Sequence, residues 1–153
     1  MEDMTLAAPT INNSSTGFFN CTLNNRGVFS DTLPRIVTLP GSGVMLTASQ
    51  RNASAPHSQM FNISLDPQIR SGTHAIPGPM IRSLVLQERN DDIVGGDPWK
   101  GFMAISGTMR LELDQSRKLF KATCTFTLKN KTGTLMNGTA EMNVAYREWA
   151  VAL

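Results

Sequence analysis

Apolar and polar positions alternate along most of this chain with a period of two, the repeat of a strand with one buried face, and not with the helical period of about 3.6. Between Gly101 and Leu113, the positions Met103, Ile105, Gly107, Met109, Leu111 and Leu113 share one parity, and Ala104, Ser106, Thr108, Arg110 and Glu112 take the other. That predicts one long strand with the methionine and leucine parity facing a core. After the polar turn Asp114-Gln115-Ser116-Arg117, Leu119 to Leu128 alternates again, with Phe120, Ala122, Cys124, Phe126 and Leu128 inward. The two segments predict a hairpin. Lys129 to Gly133 reads as a second turn and Asn137-Gly138 as a third, after which Thr139 to Arg147 supplies Ala140, Met142, Val144 and Tyr146 to the inner face.

Shorter segments of the same kind precede these: Phe18 to Leu23, Arg35 to Leu39, Val44 to Ser49, Met60 to Leu65 and Met80 to Glu88. Gly, Pro and Asn clusters separate them, and no window carries a sustained i, i+3, i+4, i+7 stripe. The expected fold is all-β, an antiparallel β-sandwich or flattened β-barrel of about eight to ten strands with little helix. One domain is expected over residues 1–153, with residues 1–15 an irregular N-terminal segment. The expected core includes Phe19, Leu23, Leu46, Phe61, Ile63, Leu65, Met103, Ile105, Met109, Leu111, Phe120, Phe126 and Val144. Ser71 to Pro79 is too rich in Gly and Pro for a central strand and reads as an edge or corner. Arg89 to Lys100 must loop between two well-patterned strands.

Phe19-x-Cys21-x-Leu23-Asn24, Ser71-Gly72-Thr73, Phe102-x-Ala104-x-Ser106-Gly107-Thr108, Phe120-x-Ala122-x-Cys124-x-Phe126-x-Leu128-x-Asn130 and Asn137-Gly138-Thr139 follow one another in that order. In this arrangement, which spans Thr16 to Tyr146, the chain resembles small bacterial all-β domains of sandwich or lipocalin-like barrel type. Lys121-Ala122 stands where such domains usually place Gly before the small residue. The resemblance implies a fold and no activity.

Composition narrows the function classes. The chain has 153 residues, 41% hydrophobic and 17% charged, enough for a core without disulfide or metal staples. Fourteen basic against 12 acidic residues give a net charge of +2, too small a field to predict nucleic acid as the partner. No apolar run approaches the roughly 20 residues of a membrane-spanning helix. The start, Met1-Glu2-Asp3-Met4, does not read as a signal peptide, which leaves a cytoplasmic chain, leaderless export, or a chain whose leader has been removed. Seven Asn-x-Ser/Thr sequons, at Asn12, Asn13, Asn20, Asn52, Asn62, Asn130 and Asn137, are expected from eleven Asn in a Ser/Thr-rich sequence and are read as coincidence.

Candidate chemistry is sparse. His57 and His74 lack Cys, Asp or Glu at ligand spacing, so no metal site or cofactor is expected. Cys21 and Cys124 fall on inward parities and are read as free buried thiols, with a disulfide left open. No nucleophile–base pair or phosphate-cradling glycine loop occurs, and no catalytic residues are assigned. Arg117, Lys118, Lys121, Lys129 and Lys131 cluster around one hairpin and read as edge-strand lysines that block sheet-to-sheet pairing. Trp99 and Trp149 are each read as either a recognition residue or a cap on an open end of the sheet stack.

The expectation is a non-enzymatic module binding a protein or small ligand, with Trp99 as apolar anchor, Asp91, Asp92 and Asp97 as polar contacts, and Arg70 to Pro79 alongside. The alternative is a homo-oligomer pairing through strand edges and the tail from Trp149 to Leu153.

Overall fold

A computed structural model describes residues 17–39, 41 and 43–149. Ten strands account for most of them: β1 (Gly17–Leu23), β2 (Gly27–Asp31), β3 (Arg35–Leu39), β4 (Gly43–Arg51), β5 (Ser58–Leu65), β6 (Gly72–Ala75), β7 (Ile81–Arg89), β8 (Trp99–Asp114), β9 (Leu119–Lys129) and β10 (Leu135–Ala145). There is no helix among the described residues. All pairings are antiparallel, in the order β2-β1-β10-β9-β8-β7-β5-β4-β3, with β6 also on β8. The fold is all-β, a single curled sheet of flattened-barrel type.

Two staves of this barrel are interrupted strands. β2 pairs with β1, and after the break at Thr32–Pro34 β3 pairs with β4. Asp31 makes that break: its Oδ1 accepts the Leu33 N–H at 2.8 Å, a local turn that Pro34 prolongs by offering no donor. Its Oδ2 accepts the Ser49 N–H of β4 at 2.8 Å, and Gln50 Oε1 accepts the Ser30 N–H. The sheet thus meets itself through side chains at the seam between β2 and β4. In the same way β6 pairs with Thr108 to Leu111 of β8, and beyond the Pro77 and Pro79 break β7 pairs with Trp99 to Met103. Counting each broken strand once, the strands form a sequential meander.

The interior is filled by side chains. Phe19, Phe29 and Phe61 are fully buried, with Phe29 edge-on to Phe19 at 5.7 Å and to Phe61 at 5.0 Å, and Phe126 lies 6.1 Å from Phe61. Of the expected core, Phe19, Leu23, Leu46, Phe61, Ile63, Leu65, Met109, Leu111, Phe120, Phe126 and Val144 are buried.

Met103 and Ile105 are not: they are 56% and 51% exposed. The register slips between Ala104 and Ser106, which face the consecutive residues Leu128 and Thr127, so Ile105 is an extra residue on β8. A bulge of one residue inverts parity, which puts Phe102 and Ala104 inside before it and Met109 and Leu111 inside after it. Two further expectations change. Asn137-Gly138 is no turn but part of β10, opposite Thr127 and Phe126. The connection turns earlier, at Asn130, whose Oδ1 accepts the N–H groups of Thr132 and Thr134. A Cβ on Gly138 would lie 2.5 Å from the Phe126 ring, so glycine is required by that close approach. Lys121 and Lys129 do not guard an edge, because β9 runs between β8 and β10. They stand on its outward face.

Candidate functional site

The two ends of the barrel differ in chemistry. At one end Trp149 lies parallel to Phe120, with ring centroids 6.3 Å apart and an 18° interplanar angle, and meets Tyr146 edge-on at 5.0 Å. Its indole N–H donates to Pro67 O at 2.9 Å, so the one polar atom of the cap is satisfied. This Trp seals its end. Residues 150–153 of the expected pairing tail lie outside the described residues.

The other end carries an inward-facing polar row. On four adjacent staves the register aligns Ala48, Phe61, Leu86 and Phe102, all buried, and one step further out it aligns Gln50, Gln59, Glu88 and Lys100. Glu88 and Gln59 are the buried polar residues of this row, 4% and 5% exposed. Buried carboxylates are tolerated when paired and fully hydrogen-bonded, and Glu88 is both. Its Oε2 accepts from Arg26 Nε at 2.8 Å and from Gln59 Nε2 at 2.8 Å, and its Oε1 accepts from Arg26 Nη2 at 3.0 Å. Arg26 reaches it from the β1–β2 turn, in which Asn25 takes the left-handed conformation (φ 69°) that Asn tolerates better than most residues. The guanidinium also lies 6.0 Å from the centre of the Phe102 ring. Above this pair opens a cleft of about 240 Å³, lined by Asn25, Arg26, Pro56, Glu88, Asn90, Pro98 and Lys100 among others.

The segment from Arg89 to Lys100 does form the rim of this end, closed by the Asn90 N–H on Pro98 O at 2.8 Å. His57 anchors it: its N–H donates to Arg89 O at 2.7 Å and its Nδ1 accepts from the Asp91 N–H at 3.0 Å. The four expected contact residues are brought into one loop but not into the cleft. Asp91 is held by Arg89 Nε at 2.7 Å, Asp92 stands 3.8 Å from His57 Nε2 and is 77% exposed, and Asp97 Oδ1 accepts the Trp99 N–H at 3.0 Å. Trp99, 42% exposed, has the Arg89 guanidinium 5.6 Å from its ring centre. It takes the opposite parity to Lys100 and so faces the outside of the barrel.

Arg70 to Pro79 does not lie beside the loop. β6 pairs with the far half of β8, about nine residues or roughly 30 Å from Trp99. His74 belongs to that half, with its Nε2 2.6 Å from Arg70 O, and no group of three or more metal-ligating side chains occurs among the described residues.

Sequence reading missed Arg26, Gln59 and Glu88. The detectable signal was parity, since Gln59 and Glu88 are polar residues on the same face as Phe61 and Leu86. Nothing in the sequence joins Arg26 to Glu88, 62 positions away.

Comparison with known protein families, with curated proteins and with solved structures finds no match.

Proposed function

We propose that this protein is a non-enzymatic binding module whose ligand seats in the cleft at the polar end of the barrel. The observation that carries this reading is the change from an apolar to a polar inward row at that end, with a buried, fully hydrogen-bonded Glu88–Arg26–Gln59 group beneath an open cleft. Buried charge costs stability relative to apolar packing, so its placement beneath an opening favours recognition over structure. Glu88 is committed to its three hydrogen bonds, so it orients Arg26 and Gln59 beneath the cleft. The test is a small-molecule screen read by the emission of Trp99 in a Trp149→Phe variant, Trp99 lying between the cleft residues Pro98 and Lys100. A ligand that shifts this emission and weakens at least tenfold in Asn90→Ala is the expected result. Ligands bound equally well by Asn90→Ala and Asn25→Ala would place binding elsewhere and sink the reading.

The rival reading, a homo-oligomer, draws on the exposed apolar residues Val28 (69%) and Leu33 (64%) at the β2 end of the sheet. Light scattering separates the two: a stable multimer dissolved by Val28→Lys and Leu33→Lys together favours the oligomer.

A further inference from the structure

We propose that the group recognised in this cleft is an oxyanion, a carboxylate or phosphate on a small ligand, held by Lys100 with Arg26 behind it; the inference rests on the binding reading given above. Glu88 and Lys100 are direct register partners on β7 and β8, on the same face. Side chains so placed stand about 4.5–5.5 Å apart at Cβ, close enough for an ammonium and a carboxylate to pair. Here they do not pair. Arg26 takes Glu88 with two parallel N–H···O bonds, the geometry in which guanidinium outcompetes ammonium, and Gln59 occupies the remaining side of Oε2.

Lys100 is consequently left with no hydrogen bond or ion pair among the described residues, in a cleft lining whose only carboxylate is already spent. Arg26 and Lys100 against Glu88 leave that lining with one net positive charge. In the acidic loop beside it Asp91 is paired with Arg89, while Asp92, 77% exposed, and Asp97, bonded to the neutral Trp99 N–H, keep their charge outside the cleft lining. Asn25 and Asn90 add amides to the rim, and Asn90 is oriented because its Oδ1 accepts the Asp92 N–H at 3.0 Å, which leaves its NH₂ as donor. One exposed, unpaired ammonium, a guanidinium already bonded to Glu88, an oriented amide and an opening below the size of drug-like pockets match one anionic group on a small body.

The experiment titrates the full chain with inorganic phosphate, succinate and glucose 1-phosphate, with glucose as the neutral control. Phosphatidylglycerol vesicles distinguish a lipid headgroup from a soluble anion. Backbone amide shifts of Asn25, Asn90 and Lys100 and titration calorimetry are the readouts. Expected are saturable binding of at least one anion, weakening with added salt, no response to glucose, and roughly tenfold or greater loss in Lys100→Gln with recovery in Lys100→Arg. Binding to vesicles alone supports the inference with a lipid as source, and binding of the free anions supports it with a soluble one. Because Lys100 has no partner to lose, Lys100→Gln keeps its fold, checked by an unchanged unfolding midpoint. If glucose binds as well as the anions, or Lys100→Gln binds them undiminished, the oxyanion assignment is overturned while the cleft reading survives. If neither the free anions nor the vesicles move these amides the assignment is also overturned, and the broader screen alone then decides the cleft reading.

Discussion

At Glu88 a carboxylate occupies a position whose predecessors on the same face, Leu84 and Leu86, are fully buried. Truncating it removes three hydrogen bonds and leaves Arg26 and Gln59 without their acceptor. Loss of one member of a fully buried pair costs about 3–5 kcal/mol, but Arg26 is 29% exposed and can turn to water, so Glu88→Ala should cost about 1–3 kcal/mol by denaturant titration. A cost indistinguishable from zero would mean that the trio is not formed in solution. The two thiols make a second test. Cys21 and Cys124 both face Ala140 across β10, two strand spacings or about 9.5 Å apart, too far for a disulfide, and both are free. Burial pushes each up to about 12, and for Cys124 the nearby Cys21 adds to the rise. In the unfolded chain they ionise near 8.5, so the unfolded state loses protons first and stability falls as pH rises above about 9. Below that the thiols are protonated and inert. The native protein should resist thiol reagents at pH 8 and release two reactive groups in denaturant; prompt labelling of either in the native state would contradict its burial.

At the scale of the element, β8 shows how one residue redirects a face. Parity along Gly101 to Leu113 is legible, but the extra residue at Ile105 is not, because a β-branched apolar side chain reads as core wherever it falls in an alternating run. The bulge lies just past the β7 pairing, which ends at Met103, and before the β6 pairing, which starts at Thr108, so it sits where β8 changes partners. Met103→Thr and Ile105→Thr should therefore each change stability by no more than about 0.5 kcal/mol, while Phe102→Ala should cost about 3–5 kcal/mol. Equal losses at Met103 and Phe102 would restore the uninterrupted register. The Asn137-Gly138 position follows the same logic, since a turn-forming pair stays in the strand when an aromatic ring from the neighbouring strand covers its glycine.

Across the whole molecule the two ends divide the labour of closing a curled sheet. Trp149 stacks on Phe120 and shuts one end, so Trp149→Ala should lower stability by about 2–4 kcal/mol and blue-shifted emission should vanish with it. Emission unchanged in position after this substitution would show that the half-buried Trp149 does not dominate it. The other end keeps its inward row polar and open, held from the far side of the barrel by Arg26.

What the chain determined by itself is the local part: the period of two, the turns at Asp114 and Asn130 that bound β9, and the parity of Phe19, Phe61, Phe120 and Phe126 depend only on neighbours in sequence. The β2 and β6 strands were too short and too rich in polar or glycine residues to announce themselves, and pairing with β1 and β8 makes them strands. Tertiary structure alone decided the bulge at Ile105, the seam held by Asp31 and Gln50, and the Arg26–Glu88–Gln59 group, because each depends on which distant strand lies alongside. Asp91, Asp92, Asp97 and Trp99 were legible as a loop, yet the carboxylates answer to partners within two residues or to His57 and the Trp99 ring to Arg89, and the cleft falls to Arg26, Glu88 and Lys100. A guanidinium that crosses 62 positions to claim a carboxylate, and so frees the lysine opposite, leaves no trace in local sequence.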